Sequence, residues 1–142
     1  MKQEEKEQLL KDLCSRLQYG LKCSIYRVDD FGVGWRDATL NGAVLGEYGY
    51  EFYFDDYVCV DSINKVKPYL SPLSSMTDEQ KREYNRWKHE IPICHYEYGD
   101  VVEEVELFDS PESFEYLIEN HFDYRGLIEK GLAIDATGKN IY

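Results

Sequence analysis

The sequence predicts an α+β fold: an N-terminal helix, an antiparallel sheet of about four strands, and C-terminal helices packed on one side. Three observations carry this. Apolar residues near the N-terminus recur at helical spacing. Residues 21–60 are rich in aromatic and β-branched side chains and are broken by short turns. Beyond residue 76, two Ser/Thr-led segments carry helix-start signals. The 142 residues read as a single domain: a helix over 3–18, a sheet region over 21–60, a connector over 65–76 and a helical part over 77–131.

In the first helix Leu9, Leu10, Leu13, Cys14 and Leu17 form one apolar stripe. Glu7 and Lys11 pair at i,i+4 in the favourable order, and Gly20 stands where a left-handed C-terminal cap belongs. LKCSIYRV is the first strand, with Cys23 and Ile25 on one face and Tyr26 and Val28 on the other. A Gly-rich turn, DDFGVG, leads into WRDATLNGAVLG. That stretch is one strand, or two short ones, because Asn41-Gly42 is a type I′ hairpin signal. YGYEFYF and YVCVDSI follow, with a turn at Asp55-Asp56, and the short connections argue for an antiparallel meander.

KVKPYLSPLSS holds two prolines and reads as an extended connector. Thr77 and Gln80 form a capping box, and Asp78 and Glu79 suit the helix dipole, which predicts a helix over 78–89. Its apolar face is thin, mainly Tyr84 and Trp87, and Pro92 ends it. Residues 93–108 read as a hairpin or as a strand plus loop. Ser110-Pro111-Glu112 opens another helix, with Phe114, Leu117 and Ile118 toward the core. Asp123 caps a last short helix that Gly131 stops, and LAIDAT is a final strand.

Composition excludes several classes. Hydrophobic residues make up 43% of the chain, too many for a disordered acidic polymer. A net charge of −12 repels nucleic-acid phosphates and anionic membranes, so no direct nucleic-acid contact is expected. No apolar run is long enough to span a membrane. The N-terminal MKQEEKEQLLKDL is charged and unlike a signal peptide. Cys14, Cys23, Cys59 and Cys94 are scattered without a framework, so reduced thiols and a cytoplasmic setting are expected.

The acid is unevenly placed. Between Ile91 and Tyr124 there are ten acidic residues and no Lys or Arg. One reading is a solvated face that keeps the chain soluble. Another is a negative surface that meets a basic protein and imitates a phosphate backbone, with Glu103, Glu104, Glu106, Glu112 and Glu115 as the candidate partner-binding residues. A divalent-cation site is the third, but Asp55, Asp56 and Asp61 miss the EF-hand spacing.

Catalytic patterns are incomplete. His89-Glu90 resembles the start of a zinc-protease helix motif, but position 93 is Ile and Pro92 breaks the helix. His89, Cys94, His95 and His121 lack the paired spacing of structural zinc. Gly32-x-Gly34 lacks the third glycine of a dinucleotide loop, and there is no nucleophile elbow. Cys94, His121 and Asp123 form a nucleophile–base–orienter trio on paper. The polar cluster of His121, Asp123 and Arg125 reads either as mutual capping or as a binding or catalytic group. No cofactor, metal or catalytic residue is expected from these patterns.

KPYLSPLSSMT, the charged helix after it, and ENHFDYRGLIEKGLAI resemble a family of small uncharacterised proteins of gut Bacteroidales, many carried on prophages or other mobile elements. The resemblance covers residues 67–83 and 119–134 well and the N-terminal helix loosely, and it implies no particular activity. What the resemblance implies is a family that varies over 90–110. The leading functional expectation is a non-enzymatic accessory protein that binds a basic protein through its acidic surface. The alternatives are a small hydrolase or metal-dependent enzyme using His121 and Asp123, with Arg125 and Cys94, and a dimerising module.

Overall fold

The computed structural model describes residues 1–30, 32–55 and 58–142. They fall into two compact units, one of residues 1–75 with 121–142 and one of residues 76–120. The fold is α+β, with three α-helices and a mostly antiparallel main sheet among the described residues.

In the first unit, α1 (Gln3–Ser15) buries Leu9 and Leu13 completely, as its stripe predicts, while Cys14 on the stripe's edge is exposed. A 3-10 turn over Leu17–Tyr19 ends at Gly20, whose φ of +66° is the left-handed cap. β1 (Lys22–Asp29) places Cys23 and Ile25 in the core and leaves Val28 exposed. β2 (Gly32–Gly46) is one long strand that serves two neighbours. Its first half pairs with β1, from Lys22↔Thr39 to Asp29↔Gly32, and its second half with β3 (Gly49–Phe54). The register shifts between Leu40 and Gly42, so Asn41 is the extra residue of a bulge. The hairpin signal fails here because a type I′ turn needs positive φ at both central residues, and neither Asn41 nor Gly42 has it. β4 (Val58–Val60) completes this side. The expected Asp55-Asp56 turn and part of DDFGVG lie outside the described residues.

The segment expected to be a connector is instead β5 (Val66–Pro72), an interior strand. Val66, Pro68, Tyr69 and Leu70 are buried, the near-continuous apolar run of a strand covered on both faces. It pairs antiparallel with β1 over Val66–Pro68, and Pro68, which has no N–H to give a ladder, ends that pairing. Two short strands then add parallel to it: β8 (Phe122–Asp123) and β9 (Ile134–Asp135). The main sheet thus has seven described strands in the order β4-β3-β2-β1-β5-β8, with β9 also on β5, rather than about four. Leu9, Leu13, Leu21, Ile25, Phe52 and Leu70 lie at the centre of its core.

In the second unit, α2 (Asp78–Arg86) carries the predicted capping box: Gln80 N donates to Thr77 Oγ1 at 3.1 Å, and Thr77 N to Gln80 Oε1 at 2.9 Å. It stops at Trp87, earlier than expected, because the chain turns into β6 (His89–Glu97), where Pro92 sits within an edge strand. β6 pairs with β7 (Asp100–Phe108) in a two-stranded hairpin, so the 77–131 stretch is not continuously helical. Tyr98 and Gly99, at φ +51° and +84°, form its two-residue turn. Ser110 and Pro111 open α3 (Pro111–Glu119) as predicted; Leu117 is buried, but Phe114 is exposed. No described helix is long and apolar enough to cross a membrane.

Candidate functional site

Two polar features stand out, one in each unit. The first is a fully buried ion pair that the sequence reading missed. Asp12 and Arg16 are one helical turn apart on the buried face of α1, and both side chains are 0% exposed. Arg16 donates through Nε at 3.0 Å and Nη2 at 3.1 Å to the two oxygens of Asp12, and through Nη2 at 2.6 Å to the carbonyl of Phe122. This forked geometry is the strong form of a carboxylate–guanidinium contact. Arg125 adds a second cation, with Nε 3.4 Å from Asp12 Oδ1. Burial pushes the Asp12 carboxyl above its ordinary range, and the two arginines pull against that rise.

The residues singled out around 121–125 surround this pair. Asp123 accepts from the backbone N–H of Leu127 and of Ile128, both at 2.9 Å, which is the capping role; it holds a single turn rather than a helix. Gly131, at φ +73°, closes that turn as Leu132 N donates to Leu127 O. Arg125 pairs with Asp12 and lies over the Tyr124 ring. His121 is buried, and its ring stacks on Tyr142 with centroids 4.1 Å apart. Its Nδ1 has no hydrogen-bond partner. Burial and the nearby Arg16 charge lower its pKa to about 4, which leaves a neutral imidazole at pH 7. Tyr142 is held by its hydroxyl, which accepts from Lys22 N and donates to Tyr69 O, both at 2.9 Å. Cys94 is exposed on β6 opposite Glu103. Among the described residues, no group of three or more His, Cys, Asp or Glu side chains is arranged to hold a metal ion.

The second feature is the acidic 76–120 unit, which holds thirteen acidic residues against four Lys and Arg. Strand alternation separates three of the candidate glutamates. Glu103, opposite Cys94, faces one side of the hairpin, and Glu104 and Glu106, opposite Ile93 and Ile91, face the other. The Glu103 side also carries Tyr96, Val101 and Val105, which are 81%, 63% and 61% exposed. Tyr98 at the tip is 99% exposed.

Glu112 and Glu115 lie elsewhere, on α3. With Glu119, Trp87, Pro111 and Tyr116 they line a pocket of about 380 Å³. Its frame is tightly bonded. The Ser110 hydroxyl donates to the Trp87 carbonyl, tying the end of α2 to the start of α3. Tyr84 stacks on Tyr116 at 6.2 Å, and its hydroxyl donates to Asp109, which also accepts from Ser113 Oγ at 3.0 Å. Burial and Asp109 hold the Tyr84 hydroxyl in its protonated form, the form that makes this bond. Sequence reasoning chose two of these glutamates but not Trp87 or Tyr116, whose place beside them comes from the α2–α3 pairing. No family model matches the chain, and neither a curated protein nor a solved structure does.

Proposed function

We propose that the chain is a non-enzymatic, cytoplasmic accessory protein whose 76–120 unit binds a basic protein. One observation carries this. The unit concentrates a formal charge of −9, from thirteen acids and four bases, around a hairpin that leaves Tyr96, Val101 and Val105 in water. A face that is only solubilising has no need of exposed valines and tyrosines; apolar surface rimmed by charge is the common composition of a docking surface. Opposite charge on the partner steers encounter and excludes acidic competitors. The resemblance of residues 67–83 and 119–134 to Bacteroidales mobile-element proteins supports an accessory role.

The test is capture by the tagged full chain in a Bacteroidales lysate, beside a Glu103→Lys/Glu106→Lys/Glu112→Lys variant. The expected result is a basic protein retained at about 50 mM salt, released by about 300 mM as the screening length shortens, and absent with the variant. Equal capture by both forms would reduce the acidic surface to a solubilising role.

A further inference from the structure

The β6–β7 hairpin has two outer edges, and they are not equivalent. We propose that the basic partner docks by adding an extended segment of its own, antiparallel, to the outer edge of β7. This deepens the docking reading above and rests on it. The two-residue turn at Tyr98-Gly99 makes Glu97 and Asp100 a pair that exchanges both backbone hydrogen bonds. Along an antiparallel ladder such pairs alternate with pairs whose backbone groups point away from each other. On β7, Val101, Glu103, Val105 and Leu107 therefore turn their N–H and C=O outward; on β6, Glu90, Pro92, Cys94 and Tyr96 take the outward positions. Pro92 agrees with this phase, because at an outward position its missing N–H costs the hairpin no bond. It also interrupts the β6 edge as a template, whereas β7 holds no proline. Among the described residues no third strand pairs with β7. A two-stranded ribbon is marginal by itself, and a third strand strengthens it.

Charge decides what kind of strand fits. The exposed Val101 and Val105 flank Glu103 on one face of β7, while Val102, Glu104 and Glu106 lie on the other. A strand with bases opposite the three glutamates and apolar side chains opposite the valines makes favourable cross-strand pairs on both faces. A second copy of this chain is disfavoured by the same rule. Paired antiparallel about Glu103 or about Glu104, that residue meets its own copy, and paired about Val105, Glu104 meets Glu106. Like charges directly opposite destabilise a ladder, so the edge rejects itself and accepts a basic segment.

Matched against β7 from Glu106 back to Val101, the fitting segment is Lys-Val-Lys-Lys-Val-Val. The probe is that peptide with blocked ends, titrated calorimetrically into the full chain. N-methylation separates strand addition from charge attraction, since it removes donors and no charge. Methylation at the second and fourth residues, whose N–H groups face β7, is expected to weaken binding about tenfold or more; at the third and fifth, which face away, less than about threefold. Bound peptide is expected to slow amide exchange at Val101, Glu103 and Val105, and to change Val102 and Glu104, already in the hairpin ladder, far less. Val105→Pro copies onto β7 the device of Pro92, its cross-strand neighbour, and is expected to abolish binding. Equal weakening by the two methylation patterns, with binding still lost in Glu103→Lys/Glu104→Lys, would overturn strand addition while leaving the acidic docking surface standing. No binding of the unmodified peptide would overturn the edge site, and so would a dimer in sedimentation whose Val101, Glu103 and Val105 amides exchange slowly without peptide; capture from the lysate judges the docking reading separately.

Discussion

Replacing Arg16 by Met is the sharpest perturbation of the fold. The new side chain fills similar space but removes two charge-assisted bonds to Asp12 and one to the Phe122 carbonyl. Asp12 remains at 0% exposure with only Arg125, 3.4 Å away, to oppose its charge. Removing one partner of a buried pair costs about 3–5 kcal/mol. Protonation sets a ceiling on the charge part of that cost. Neutralising a carboxyl of ordinary pKa 3.8 at pH 7 takes about 4 kcal/mol, at roughly 1.36 kcal/mol per pH unit. The ceiling falls to about 2 kcal/mol at pH 5. The sign follows from linkage. Without Arg16 the folded-state pKa of Asp12 rises further above the unfolded value, so the variant is most stable at low pH and loses stability as pH rises toward 7. Urea unfolding of a Trp87→Phe background, where Trp35 reports on the first unit, measures this at pH 5 and pH 7. We expect a loss of about 4 kcal/mol at pH 7, smaller by about 2 at pH 5, with Asp12→Leu/Arg16→Met recovering most of it. A loss under about 1 kcal/mol at pH 7, or one that does not depend on pH, would refute the argument.

Two further outcomes are expected. His121, lowered to about 4, titrates by NMR well below an ordinary histidine; because its folded pKa is depressed from 6.5, it stabilises the fold above that value and the contribution, up to roughly 3 kcal/mol, is lost as pH falls toward 4. His121→Gln removes that slope, and Tyr142→Ala, which strips the stacked ring, raises the His121 pKa toward its usual value. Ser110→Ala removes both the α3 cap and the bond to the Trp87 carbonyl, and costs about 1–2 kcal/mol, seen as faster amide exchange at Ser113.

Much of the fold follows from local periodicity and capping. The α1 stripe, the β1–β4 meander and the starts of α2 and α3 rest on such signals. β5 was hidden for a physical reason: a strand buried on both faces has no polar alternation, and Pro68 and Pro72 give it the look of a linker. The Asp12–Arg16 pair had a usable signal. Residues 9, 12, 13 and 16 fall at i, i+3, i+4 and i+7, so two opposite charges continue the apolar stripe one turn apart. The α3 pocket had none, because Trp87 is more than twenty residues from Pro111 and only the tertiary fold joins them.

The parallel pairing of β5 with β8 has an evolutionary reading. Ser71 pairs with Phe122 and Pro72 with Asp123, so the chain leaves the first unit and re-enters it at the same rung of one ladder. Everything from 76 to 120 is, topologically, a guest inserted in a host whose two doorposts are already bonded to each other. A parallel pair needs a crossover of a dozen residues or more, but its identity is free, and loop length adds closure entropy only slowly. Such an arrangement lets lineages exchange the 45-residue guest, with its charge and its pocket, without redesigning the host that carries it.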